Sequence, residues 1–198
     1  MTTPQDNLEK AKKDVRAMVA QRRLSLRTGA TDVRASAVAI NGAEIVRAVA
    51  PRGSTVALFA SFGSEPPTDL LISGLVDLGY RVLLPRVISD TEMTWHHYDG
   101  TWTTDNLGIA TPGTEAAPSD LGNIATAAVI FIPAIAASQD GRRLGRGGGY
   151  YDRMLANLPD HEHGGPFRIA VIDMAGLLSD GVIPMDFHDA WVDSVLVG

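Results

Sequence analysis

Apolar and polar positions recur along this chain with two periods, and the period switches from segment to segment. From residue 7 to 27, Leu8, Ala11, Val15, Met18 or Val19, Arg22 and Leu26 return at near-helical spacing, which predicts a first helix. Residues 31–50 have the same character but carry Asn41-Gly42, a turn signal, so two short helices or a kink are expected. Val56–Phe59 begins the sheet, and Ser61-Phe62-Gly63-Ser64-Glu65 forms its exit loop. After Pro66 and Pro67 a helix is predicted over Thr68–Leu78, ended at Gly79. Arg81–Leu84 reads as a second short strand stopped by Pro85. Strand, helix, strand is the parallel α/β rhythm.

Beyond Pro85 the chain turns polar and aromatic. Met93–Tyr98 alternates as a strand does, with Trp95 and His97 on one face and His96 and Tyr98 on the other. Thr111–Asp120 has no core-forming content and reads as a surface loop. Ala127–Pro133, AAVIFIP, is an apolar run of buried-strand length. Tyr150–Leu158 then fits a helix, with Tyr151, Met154, Leu155 and Leu158 on one face. A polar connection, His161 to Pro166, leads to a strand over Phe167–Ile172, and Val192–Val197 supplies the last one. No linker divides residues 1–198, so one domain built on a mixed or mostly parallel sheet covered by helices is expected.

Composition narrows the function more than the fold. A net charge of −6 weighs against a nucleic-acid surface, which needs a basic patch. The absence of cysteine rules out disulfides and thiolate metal sites. No apolar stretch reaches membrane-spanning length and MTTPQDNLEK lacks a signal-peptide core, so a cytoplasmic location is expected. A monomer is expected, because no helix pattern demands a partner.

The candidate chemistry sits in Gly141–Arg153, GRRLGRGGGYYDR. Five glycines fall within nine residues (Gly141, Gly145, Gly147, Gly148 and Gly149), with Arg142, Arg143 and Arg146 among them. Placed between a strand and a helix, such a stretch can turn backbone N–H groups toward an anion. Glycine keeps side chains out of the way and permits positive φ, while guanidinium forks suit phosphate oxygens. Asp152 stands where it could hold a divalent cation bridging those oxygens. A solvated surface loop with a charged rim is the competing reading. A Walker loop is excluded, since no Lys-Ser or Lys-Thr follows the glycines. The dinucleotide fingerprint fails too, because Gly145 and Gly147 are followed at the third place by Tyr150. The adjacent His96 and His97 point to opposite faces with no third ligand evident, which favours an aromatic wall over a metal site.

The same stretch closely resembles the ATP signature of the 5-formyltetrahydrofolate cyclo-ligase family, roughly G-x-R-L-G-x-G-x-G-Y-Y-D. Gly141, Arg143, Leu144, Gly145, Gly147, Gly149, Tyr150, Tyr151 and Asp152 meet every fixed position. Looser likeness extends from about residue 8 to the C-terminus, through Lys12 and Arg16, Ser61-Phe62 with Glu65, Leu84-Pro85-Arg86, Met93 with Trp95, and Pro184-x-Asp186-x-His188-Asp189. The resemblance implies a three-layer Rossmann-like fold and an enzyme that uses ATP and Mg²⁺ to close 5-formyltetrahydrofolate into 5,10-methenyltetrahydrofolate, releasing ADP and phosphate. It implies that Lys12, Arg16, Arg142, Arg143 and Arg146 hold phosphates, with Gly145, Gly147, Gly148 and Gly149 lining them and Asp152 on Mg²⁺. Tyr150 and Tyr151 would flank the nucleotide or the formyl group, Arg143 and Arg146 would act in the reaction, and Glu65, Met93, Trp95 and Tyr151 would hold the reduced folate. His188 and Asp189 would shape the nucleotide or folate edge. Four features depart from the family pattern: Leu107, Thr111, Leu178 and the Ala134–Ala137 segment. Leu107, Thr111 and Leu178 motivate one alternative, a ligase with a different one-carbon or amide-like acceptor; a non-catalytic nucleotide- or folate-binding protein is the other.

Overall fold

The computed structural model of the chain describes residues 3–26, 31–89, 91–104, 108–113 and 124–198. Helix α1 spans Pro4–Ser25 and starts with a reciprocal cap. Thr3 Oγ1 accepts from the Asp6 N–H at 3.1 Å while the Asp6 carboxylate accepts from the Thr3 N–H at 2.8 Å. The expected apolar ladder is only partly used. Among the described residues of α1 the two that are fully buried are Lys12 and Val19, while Arg22 and Leu26 face solvent.

Helix α2, Thr31–Val49, runs through Asn41-Gly42 without a break, which corrects the expectation of two short helices. Packing explains the glycine. A Cβ at Gly42 would lie 2.8 Å from Leu71 Cδ2 and 3.3 Å from Leu196 Cδ2, so the position is a notch where α2 meets α3 (Asp69–Asp77) and the sheet. Tertiary contact here overrides the turn signal.

The sheet is six-stranded, and five of its strands are parallel. They are β1 (Thr55–Ala57), β2 (Arg81–Val87), β6 (Ala127–Pro133), β9 (Phe167–Ile172) and β11 (Ser194–Val197), in the order β11-β9-β6-β1-β2. Strand β3 (Met93–His97) closes the edge, antiparallel to β2. Strand β2 does not stop at Pro85, as expected, but continues to Val87. Beyond Leu83 it pairs only with β3, so a residue without an N–H is tolerated there.

Two apolar layers follow from strict alternation along the strands. Val56, Val82, Val129, Phe131, Ile169 and Val171 pack under α2 and α3. Ala57, Leu83, Ile130, Ile132, Ala170 and Ile172 pack on the other face against Trp95 and the helix α4 (Tyr150–Leu155). This is the expected three-layer α/β arrangement. Helix α4 is shorter than its sequence pattern, though Met154 and Leu155 are buried as expected and Tyr151 and Leu158 pack beside them.

Three features were not anticipated. A hairpin joins β4 (Trp102–Thr104) and β5 (Ala110–Pro112), with Thr111 buried, so residues 111 and 112 are strand and not loop. A small sheet unites β7 (Ala136–Ser138), β8 (Arg143–Leu144) and β10 (Leu177–Leu178), so strand structure intervenes within the glycine stretch. His161–His163 forms an exposed 3₁₀ turn, with His161 edge-on to Phe167 at 5.1 Å. Leu107 and most of the 111–120 segment lie outside the described residues. No helix among the described residues is long and apolar enough to cross a membrane.

Candidate functional site

Topology selects one edge of the sheet. From β1 the chain moves to β2 and β3 on one side, then returns to β6 on the other, so the strand order reverses between β1 and β6. Open α/β sheets bind ligands in the crevice at the carboxyl ends of such strands. Here that crevice holds a cavity of about 410 Å³, lined by Glu65 after β1, Pro133 and Ala134 at the end of β6, the glycine stretch and one face of α1.

The β1 exit is shaped by polar bonds. Thr68 Oγ1 donates to the Phe59 carbonyl at 2.6 Å and accepts from the Ser61 N–H at 3.1 Å, which folds the loop back on itself. The Phe62 N–H donates to Glu65 at 2.9 Å, and Arg146 pairs with the same carboxylate at 3.1 Å. Burial pushes the Glu65 pKa above the ordinary glutamate range, against the opposing pull of the Phe62 N–H, Arg146 and Arg23.

In the glycine stretch the chain bends tightly at Gly147 and Gly149, with φ of 108° and 68°. A Cβ at Gly149 would also come within 2.7 Å of the Arg153 guanidinium. The guanidinium could swing aside, so it is the positive φ that selects glycine. The loop is held from three directions. Arg16 Nε donates to the Gly145 carbonyl at 3.0 Å, Arg146 Nη2 donates to the Phe62 carbonyl at 3.1 Å, and Tyr150 Oη donates to the Ser89 carbonyl at 2.8 Å.

Cations and carboxylates alternate around the walls. Lys12, Arg16, Arg143, Arg146 and Arg153 face the cavity together with Glu9, Glu65, Asp152, Asp186 and Asp189. Lys12 pairs with Asp189 at 2.6 Å. Arg143 is buried and pairs with Asp152, which also accepts from the Ala190 N–H at 3.1 Å, both contacts ending on Oδ1. Arg143 Nε is buried and makes no hydrogen bond among the described residues. Burial, reinforced by the Glu65 charge, drives the Tyr151 pKa far upward against the opposing charge of Arg143, so its hydroxyl remains a donor at any ordinary pH.

The structure therefore brings together Lys12, Arg16, Glu65, Arg143, Gly145, Arg146, Gly147, Gly148, Gly149, Tyr150, Tyr151, Asp152 and Asp189, with His188 beside them. It leaves three named residues outside the cavity. Arg142 pairs with Asp140 at 2.9 Å, donates to the Ile183 carbonyl at 3.1 Å and lies 5.6 Å over the Trp191 ring. Trp95 is only 1% exposed and sits in the core, edge-on to Tyr151 with centroids 6.4 Å apart, while Met93 packs beside that core. Of the departures from the family pattern, Thr111 lies in the β4–β5 hairpin, where its hydroxyl accepts from Arg86 Nε at 3.3 Å. Leu178 is buried against Val19, Leu144 and Ile183. Neither lines the cavity. Glu9 and Arg153 line it without having been singled out, and Asp186, quoted above within the C-terminal motif, lines it too. The signal for Glu9 was its place three residues before Lys12 on α1.

The 5-formyltetrahydrofolate cyclo-ligase family profile matches residues 8–198. The chain belongs to that family. It is 36% identical over 150 residues to a 5-formyltetrahydrofolate cyclo-ligase of Mycolicibacterium smegmatis, with 73% of each chain covered. To the mouse 5-formyltetrahydrofolate cyclo-ligase it is 28% identical over 151 residues, covering 71% of each. Its fold is that of the 5,10-methenyltetrahydrofolate synthetase of Aquifex aeolicus, with a TM-score of 0.70 at 21% identity over 94% of this chain and 89% of that one. The Mycoplasma pneumoniae 5,10-methenyltetrahydrofolate synthetase superposes with a TM-score of 0.65 at 22% identity, over 93% and 97% of the two chains. Membership makes this chain an enzyme of the cyclo-ligase class.

Proposed function

We propose that the chain catalyses the ATP- and Mg²⁺-dependent cyclisation of 5-formyltetrahydrofolate to 5,10-methenyltetrahydrofolate, with release of ADP and phosphate. One observation carries the reading: the glycine stretch, the Lys12–Arg16 face of α1 and Glu65 converge on a single cavity at the switch point of the sheet. The residues fit the groups the reaction needs. The Lys12 and Arg16 side chains and the bare backbone at Gly147 and Gly149 suit phosphate oxygens. Asp152 carries its two contacts on Oδ1, and Mg²⁺ bound with phosphates needs only one or two carboxylates. Such a site does not depend on a three-carboxylate cluster, and none exists among the described residues.

ATP supplies the phosphoryl group that turns the formyl oxygen of the folate into a leaving group, after which N10 closes the ring. The protein's part is alignment and charge neutralisation. Lys12, Arg16, Arg143 and Arg146 receive the phosphates, and Arg146 at the same time ties the phosphate loop to Glu65. Glu65 accepts hydrogen bonds from the folate, and the neutral Tyr151 hydroxyl donates toward the reacting end. Trp95 acts from beneath, fixing the Tyr151 ring. Because Thr111 and Leu178 lie away from the cavity, neither supports a different acceptor.

The decisive experiment follows absorbance of the conjugated methenyl product after mixing protein, 5-formyltetrahydrofolate and ATP, with and without Mg²⁺. A rise that requires both ATP and Mg²⁺ and disappears in Arg143→Ala is the expected result. ATP binding without any rise would overturn the proposed acceptor.

A further inference from the structure

Lys12, Arg16, Val19 and Arg23 fall at intervals of four, three and four residues, which places them on one face of α1. Lys12 and Arg16 end in the cavity, but Arg23 does not line it. It reaches instead to two strand exits. Arg23 forms an ion pair with Asp173, which is only 3% exposed and directly follows β9, and its Nη1 donates to Ser64 Oγ at 3.1 Å in the loop after β1. In the sheet, β9 and β1 flank β6, so Arg23 spans the exit of the strand that leads toward the glycine stretch.

We infer that Arg23 is a positioning residue for Glu65, anchored on Asp173 and holding the 61–65 loop through Ser64 so that the Glu65 carboxylate faces the cavity. The inference deepens the cyclo-ligase reading and rests on it for the identity of the ligand. Three further observations support it. Ser64 is the residue immediately before Glu65. Asp173 is itself fixed, accepting from the Gly176 N–H at 3.1 Å, so the anchor is rigid. The Arg23 charge also acts on the Glu65 carboxylate. Arg22, one residue away, is exposed and supplies a control with equal charge on the same helix.

The test pairs a substrate-independent readout with a kinetic one. Amide hydrogen exchange across Phe62–Glu65 reports the loop, and separate KM values for 5-formyltetrahydrofolate and ATP report function. Arg23→Ala strands a buried carboxylate and threatens folding, so Ser64→Ala, which keeps the ion pair, is the critical variant. Ser64→Ala is expected to speed exchange and raise the folate KM about threefold, with the ATP KM within about twofold of wild type. Arg23→Ala, where folded, should raise the folate KM about tenfold, and Arg23→Lys should recover part of that loss. Arg22→Ala should match wild type in every readout. Unchanged exchange in Ser64→Ala, or equal rises in both KM values, overturns the inference. If the wild-type protein forms no methenyl product, the proposed reaction fails separately and the exchange result alone decides the role of Arg23.

Discussion

The two sides of the molecule are held together by different forces. Under α2 and α3 the contacts are mostly apolar: Val38, Val46, Leu71, Ile72 and Leu75 meet Phe131, Val171 and Leu196. On the α1 side the contacts are mostly ionic or hydrogen-bonded: Lys12 with Asp189, Arg16 with Gly145, Arg23 with Asp173 and Ser64. Apolar packing is close to all-or-none and gives a rigid platform. Ion pairs at a cavity wall can be exchanged for those of an anionic ligand. The α1 wall is thus suited to binding, while apolar layers on both faces of the sheet carry stability.

Substitutions on the two sides should separate. The largest effect is expected from Arg143→Ala, which removes a buried fork from the cavity and should lower kcat/KM by about 10³-fold. If thermal stability falls while activity survives, the division is wrong. Leu71→Ala on the opposite side is expected to cost about 3 kcal/mol of stability in urea unfolding, with the KM values of the folded fraction unchanged. A shifted KM there would show that the platform and the cavity are coupled.

A smaller and more diagnostic effect concerns Glu65. Its pKa is raised by burial, so as pH falls through that raised value the carboxylate is neutralised and the folate KM should climb. Glu65→Gln should have a high folate KM with no such acid limb. The stability change has its own sign. A carboxyl whose folded pKa exceeds its unfolded one favours folding at low pH and loses that contribution as pH rises through the folded value. Glu65→Gln should therefore melt above wild type at neutral pH, and the two curves should converge in acid. His161→Ala, on an exposed 3₁₀ turn, should alter neither rate nor stability measurably.

Much of this division was legible in the chain. The strands β6 and β9, the apolar face of α4 and the glycine stretch were all visible, because alternation and glycine spacing are local signals. What failed was non-local. Arg142 and Arg143 are neighbours with the same side chain, yet Arg143 opens β8 against β7 while Arg142 lies just before that strand. One guanidinium enters the cavity and its neighbour joins Asp140. Trp95 looked like a wall for a flat ligand because aromatic content does not distinguish a ring that contacts a ligand from one that supports a ring that does. Gly42 signalled a turn because nothing in its own segment reveals that Leu71 and Leu196 will press on it.

The polar docking of α1 has a consequence for its energetics. Its apolar share is small, with Val15 and Val19 packed on Leu144, Leu178 and Ile183, and its ion pairs are largely shielded from water. Mobile ions screen such pairs weakly, so added salt should leave α1 docked where it would dissolve ion pairs on an open surface. Its detachment would instead strand Asp173 and Asp189 without their cations.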